Sequence, residues 1–299
     1  MPELPDVELY LHALRSRVAG APVEKVRLGN PFIVRTYDPP IAAIEGQRVL
    51  GLSRVGKRLV FALEGDLFLI VHLMIAGRFR WRERGAAIPG KVGLIALDFP
   101  TGTLILTEQG SKRQASIHLV RGEAAVREHD RGGLEVLDAD LTAFGARLTA
   151  DNHTVKRALT DPHIFSGIGN AYSDEILHAA RMSPMKLTDS FSPEEIEHLY
   201  HVTRDVLLMW VERLRNETGD GFPEKVTAFR PDMAVHGKFG KPCPVCGEPV
   251  QRIVYARNEA NYCARCQTGG RLLSDRALSR LLGRDWPKSL EEMEERRRR

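Results

Sequence analysis

The chain has 299 residues, 43% of them hydrophobic and 27% charged, with a formal net charge of +4; this size suits two domains, or two plus a small appendage, with a sizeable core. No apolar run approaches the roughly 18–20 residues of a membrane-spanning helix, so no membrane partner is expected. The opening Met1-Pro-Glu-Leu-Pro-Asp6 lacks the basic and apolar segments of a secretory signal, so a cytoplasmic protein is expected, and the mild positive charge alone says little about an anionic partner.

Leu4, Val7, Leu11, Leu14 and Val18 recur at three and four residues, which predicts one amphipathic helix over 4–19. From about Val23 the texture turns to short β-rich runs: 26–28, 48–55, 59–63, 67–73, 93–99, 103–107 and 116–120. Gly and Pro separate them, as in a sandwich or barrel. After about Asp130 the texture is helical, with candidates at 141–148, 155–159, 172–181 and 193–217. Ser192 before Pro193-Glu194-Glu195 is a helix start, with Ser192 as N-cap. A Gly-, Pro- and charge-rich loop covers 218–241, and Leu272, Leu273, Leu278, Leu281 and Leu282 suggest one more packed helix. The basic end, Arg296 to Arg299, follows acidic residues and reads as a solvated helix end.

All four cysteines lie in Cys243-Pro-Val-Cys246 and Cys263-Ala-Arg-Cys266. Two C-x-x-C knuckles joined by a β-hairpin, 250–262, aim four thiolates at one point. That predicts one structural zinc ion with no open coordination position. Arg252 and Arg257 on the hairpin are candidates to face phosphate. In His163-Ile-Phe-Ser-Gly-Ile-Gly-Asn-Ala-Tyr172, Asn170 reads as the N-cap of the next helix, and the glycines let backbone amides approach an anion; an ordinary interhelical turn has the same composition. Pro2 follows the initiator methionine; once Met1 is removed it is a secondary amine, titrating near ~8 and able to form an iminium with a sugar C1′. Glu3 is the adjacent general acid. In an arbitrary protein Pro2-Glu3 is simply a helix-leading dipeptide. Lys57, in a turn entering a strand, is a phosphate contact, a proton donor or a surface lysine.

Taken in order, Met1-Pro-Glu-Leu-Pro-Asp-Val-Glu8, Gly56-Lys57-Arg58, His72-Leu73 through Gly77, Ser166-Gly-Ile-Gly-Asn170 with Asp174-Glu175, and the four-cysteine finger ending Cys266-Gln267 resemble the formamidopyrimidine-DNA glycosylase and endonuclease VIII family over residues 1 to about 267. The resemblance implies an α+β fold: an N-terminal helix on a two-sheet β-sandwich (1–130), a helical domain with a helix–two-turn–helix (131–235), a zinc finger (236–270) and a tail (271–299). It implies a monomer acting on double-stranded DNA that carries damaged bases or abasic sites. Pro2 would attack C1′ of a flipped nucleotide, Glu3 would be acid and base, and Lys57 the donor for β-elimination. His72, Asn170 and Lys156 would contact DNA.

The sequence departs from the family pattern in three places. The base-insertion loop reads His72-Leu-Met-Ile-Ala-Gly77, which makes Ile75, or Met74 in a shifted loop, the apolar wedge. Arg113 is the minor-groove arginine of a segment without the family's stacking phenylalanine. In the finger the usual phosphate-clamping arginine is Asn258, with Arg257 adjacent, which leaves δ-elimination open. A non-catalytic lesion binder on the same scaffold is the alternative, against which Pro2, Glu3 and Lys57 together argue; a zinc-ribbon protein of transcription or translation is a third, which explains the finger but leaves the first 240 residues unexplained.

Overall fold

A computed structural model describes residues 1–110, 112–255, 258–274, 283 and 287–298. The chain forms two compact units, 1–131 with 208–228, and 132–207 with 229–299.

The first unit opens with helix α1, Leu4–Val18. Its strands are β1 (Lys25–Leu28), β2 (Val49–Val55), β3 (Arg58–Leu63), β4 (Leu67–His72), β5 (Gly77–Arg82), β6 (Gly93–Phe99), β7 (Gly102–Glu108) and β8 (Ser116–Arg121). They form two antiparallel four-stranded sheets, β1-β6-β7-β5 and β2-β3-β4-β8. The expected N-terminal helix and two-sheet architecture are present. Every residue of β6 and β7 is buried, the polar Asp98, Thr103, Thr107 and Glu108 included. Strand β5 escaped the sequence reading because Arg78, Arg80 and Arg82 alternate with Phe79 and Trp81. One face packs Phe79 edge-on against Tyr10 at 5.5 Å. The other puts Arg80 and Arg82 on Glu224, at 2.7 and 2.6 Å. A short helix α2, Glu123–Arg127, follows β8.

The second unit holds α3 (Leu141–Thr149), α4 (Val155–Thr160) and α5 (Asn170–Ala179). The long helix α6, Pro193–Thr218, begins here and ends among residues of the first unit. Its start is as expected: Ser192 N–H donates to Glu195 Oε2 (2.9 Å) and Glu195 N–H to Ser192 Oγ (3.3 Å). Phe144 stacks on Phe165 at 4.8 Å in this unit's core. The finger hairpin is β9 (Gln251–Tyr255) with β10 (Asn258–Tyr262), followed by α7, Ala264–Thr268. Leu272 and Leu273 are buried with Ile253, Tyr262 and Leu290 but are not helical. Leu278, Leu281 and Leu282 of the expected tail helix lie outside the described residues. A last helix α8, Leu290–Arg298, carries the charged end, and Arg296 donates to Glu292 one turn back at 2.7 Å.

Candidate functional site

Residues Pro2 and Glu3 are buried ahead of α1. Glu3 is the N-cap, and Glu3 and Asp6 form a capping box. In it, Glu3 N–H donates to Asp6 Oδ2 at 3.0 Å. This places a carboxylate at the helix N-terminus, where free N–H groups and the helix dipole favour negative charge. The α-amine at Met1 is pulled below its ordinary pKa, first by burial; Glu3 opposes the shift and Arg78, Asp6 and Lys57 also act on it. An amine in this place is therefore neutral, and nucleophilic, in larger fraction than an exposed one.

Lys57 occupies a two-residue hairpin turn between β2 and β3, whose flanking pair is Val55 with Arg58. Gly56 takes φ +58° at the first central position, where a side chain would be strained. Burial lowers the Lys57 pKa, and Glu3 is the one carboxylate that opposes it. The terminal amine, a carboxylate and a desolvated ammonium thus come together from sequence positions 1, 3 and 57.

His72 ends β4 directly opposite Arg58. Burial first, then Arg58, Lys57, Arg131 and His118, pulls its pKa down to about 4, so it is neutral at neutral pH. The chain then turns sharply. Gly77 N–H donates to the Leu73 carbonyl at 2.9 Å, and a Cβ on Gly77 would collide with that same carbonyl. Met74 takes φ +53° and is half-buried, while Ile75 stands at the tip, 64% exposed. Arg78 donates to the Ile75 carbonyl at 3.0 Å and steadies the tip. Of the two expected wedges, Ile75 is the one presented. Arg113 is exposed, and its guanidinium donates to the Lys91 carbonyl.

In the second unit the turn before α5 departs from expectation. The N-cap is Gly169, and Asn170 is the first helical residue. Asn170 does not cap its own helix: its Nδ2 donates to the Glu259 carbonyl of β10 at 2.8 Å. Lys156 also differs from an exposed DNA contact. It is 7% exposed, and its Nζ donates to the Asn170 carbonyl (2.7 Å), Ser173 Oγ (2.8 Å) and Asp174 Oδ1. The other oxygen of Asp174 accepts from His236 Nδ1 at 2.7 Å. Glu175 accepts from the backbone N–H groups of Ala234, Val235 and His236, and burial still raises its pKa. A charge this deep persists only when paired and hydrogen-bonded, which is why these residues turn inward on one another. Asp174 and Glu175 stood in the sequence as part of the turn motif; His236 gave no signal there.

The four cysteine Sγ atoms lie within 4.8 Å of one another, with Cys246 to Cys263 at 3.4 Å and Cys243 to Cys266 at 3.9 Å. A tetrahedron with Zn–S bonds of about 2.3 Å has edges of roughly 3.8 Å, so the quartet fits zinc. Each knuckle closes on its own backbone: Gly247 N–H donates to the Cys243 carbonyl at 2.9 Å and Gln267 N–H to the Cys263 carbonyl at 3.0 Å. His178 Nε2 lies 3.3 Å from Cys243 Sγ, an outer partner suited to steadying a thiolate ligand. Arg252 stacks over Phe239 at 4.4 Å and approaches Glu259 at 3.5 Å; Arg257 lies outside the described residues. Among the described residues no helix is long and apolar enough to cross a membrane.

Three family models match the chain in order: the formamidopyrimidine-DNA glycosylase N-terminal domain over residues 1–119, its H2TH domain over 133–219, and the zinc finger found in FPG and IleRS over 240–269. A formamidopyrimidine-DNA glycosylase of Heliobacterium modesticaldum is 31% identical over 280 residues, 89% of this chain and all of that protein. The crystal structure of MutM (Fpg) from Thermus thermophilus superposes with a TM-score of 0.74 at 33% identity, over 89% of this chain and 98% of that one. Lactococcus lactis Fpg in complex with abasic-site DNA gives a TM-score of 0.77 at 25% identity, over 89% and 99%. The fold, the order of the motifs and the four-thiolate site thus agree with the comparisons, and the chain belongs to the formamidopyrimidine-DNA glycosylase family.

Proposed function

We propose that this chain is a base-excision repair enzyme that removes oxidised bases from double-stranded DNA and then cleaves the abasic site by β-elimination. The observation that carries the proposal is the half-buried chain terminus, where the Met1 amine is lowered in pKa and Glu3 and Lys57 act on it. After removal of Met1, the neutral Pro2 nitrogen attacks C1′ of the flipped nucleotide. The C1′–N bond to the base breaks, and the base leaves with a proton. Glu3 protonates the opening ring oxygen, and an iminium joins Pro2 to C1′. Loss of a proton from C2′ expels the 3′ phosphate, and water then releases the product. Lys57, easily deprotonated because it is desolvated, is suited to proton transfer in the elimination.

Neutral His72, the exposed Ile75 and Arg113 are the DNA-facing groups of the first unit. Asn170 and the finger serve the second, where Lys156 acts through Asn170 from inside. Arg257, outside the described residues, is carried in this reading as a candidate phosphate contact of the finger. Zinc, when bound, holds the finger rigid and takes no part in chemistry. Domain limits of 1–130, 131–235 and 236–270 with a tail, a monomeric state and a cytoplasmic location go with this function.

The test is borohydride trapping on duplex DNA with an abasic site. We expect a covalent adduct with the processed chain, and none with Pro2→Gly or with Met1 retained. Tight binding of lesion DNA with no adduct from the processed chain overturns the catalytic proposal and leaves a lesion binder.

A further inference from the structure

Beside the catalytic groups, three imidazoles and several guanidinium groups gather on one sheet face. Arg58 lies opposite His72, and His72 lies opposite Ser116. His118 follows Ser116 by two residues, so Arg58, His72 and His118 point to the same side of their strands. The His118 ring meets the His129 ring at 4.6 Å between centroids. Arg58 reaches the same spot, its guanidinium donating to the His129 carbonyl at 3.0 Å.

The surrounding charge is lopsided. His72 faces Arg58, Lys57, Arg131 and His118. His118 faces His129, Arg58 and Arg35. His129 faces Arg58 and Glu128, and Arg58 faces Arg131 and Asp130. Three guanidinium groups, Arg35, Arg58 and Arg131, and the desolvated Lys57 thus stand against Glu128 and Asp130, with Glu3 acting on Lys57. The imidazoles are not a metal site: among the described residues only the cysteine quartet brings three or more ligating groups close enough.

We propose that Arg58, His118 and His129 form a phosphate-binding site, distinct from the Lys57 and His72 contacts, that takes a backbone phosphate of the DNA strand and gains a proton as it does so. Naming DNA as the source rests on the function proposed above; the phosphate chemistry itself rests on this cluster. A guanidinium offers a planar fork to phosphate oxygens, and each neutral imidazole adds one N–H. Without an anion, burial and the neighbouring cations hold His118 and His129 below the ordinary imidazole pKa. A seated phosphate favours their charged forms and raises both values. Affinity for phosphate therefore climbs as pH falls below neutrality, through the interval between the bound and free pKa values.

The experiment is a histidine NMR titration of the full, zinc-loaded chain from pH 8 to pH 5, alone, with inorganic phosphate, and with duplex DNA bearing a stable abasic analogue. We expect His118 and His129 to titrate at higher pH with either anion present. In parallel, DNA affinity is measured against salt at pH 6 and pH 8. At pH 6 the H118Q/H129Q double variant loses roughly one phosphate contact, a fall of about 0.9 in the slope of log K against log salt; at pH 8 it tracks the parent. Imidazoles indifferent to both phosphate and DNA overturn the proposal, as does a double variant with the parent's pH dependence. A response to inorganic phosphate in a chain that binds no DNA upholds the site and removes the DNA function instead.

Discussion

The two units hold their polar groups by opposite means. In the second, Lys156, Asp174, His236 and Glu175 are buried and satisfied by one another and by backbone. In the first, Lys57 and His72 are surrounded by protein but offered few carboxylates, so desolvation dominates and lowers both pKa values. A satisfied network gives rigidity; an under-neutralised cluster gives reactivity and appetite for an anion. On the proposed function, the first unit carries the chemistry, and the buried network of the second holds the turn and finger in place.

Removing the finger's metal tests the scaffold side most severely. Structural zinc is worth roughly 10–16 kcal/mol of apparent binding energy in finger peptides. Cys263→Ser, or a strong chelator, should unfold the hairpin β9–β10 and free the Asn170 amide from Glu259. Loss of protection at the β10 amides in hydrogen exchange checks this, with the strands of β6 and β7 unchanged. If the hairpin stays protected without metal, the finger is held by its apolar contacts and the assignment of rigidity to the quartet fails.

The next effect is smaller but bears directly on the network. Asp174→Asn leaves the Lys156 ammonium buried without its carboxylate, which should cost about 3–5 kcal/mol. Pairing it with Lys156→Met should recover much of that loss, since a buried ion pair replaced by apolar groups is often near neutral. Thermal or denaturant unfolding of the single and double variants checks both. A single variant as stable as the parent would mean Ser173 and the Asn170 carbonyl suffice for Lys156.

His72 supplies the converse case. Its folded pKa of about 4 lies below an unfolded value near ~6.5. As pH falls from about 6.5 towards 4, the unfolded chain takes up a proton that the folded chain refuses, so stability drops with acid; above pH 6.5 the residue contributes nothing to the pH slope. After discounting for partial solvent screening, the loss is about 1–2 kcal/mol by pH 4. His72→Gln should flatten that part of the stability–pH curve while leaving the value at pH 7 nearly unchanged.

What the sequence disclosed follows the same division. The helices α1 and α6 were legible because periodicity and capping are local, and the zinc site because ligand spacing is local too. Strand β5 was hidden by three arginines, two of which, Arg80 and Arg82, answer to Glu224 more than 140 residues away. Asn170 looked like an N-cap because its residue type favours that role, but β10 claims its side chain. His236 and Asp174 meet across 62 residues, a pairing no spacing rule contains. Pro2, Glu3 and Lys57 could be named from family resemblance, whereas the desolvation that tunes their amines depends on packing.

The gentlest test concerns the tip at Ile75. The side chain is 64% exposed on a turn fixed by Gly77 and Arg78 rather than by itself. Ile75→Ser should therefore change stability by less than about 0.5 kcal/mol, as for surface positions generally. If an apolar wedge must occupy the space left by a flipped base, the same change should weaken excision of a base from duplex DNA while sparing cleavage of a preformed abasic site, where no base has to be displaced. Equal losses on both substrates would show that Ile75 shapes the catalytic groups themselves. No loss on either would move the wedge role to the half-buried Met74, which would then have to leave its left-handed turn to reach the helix.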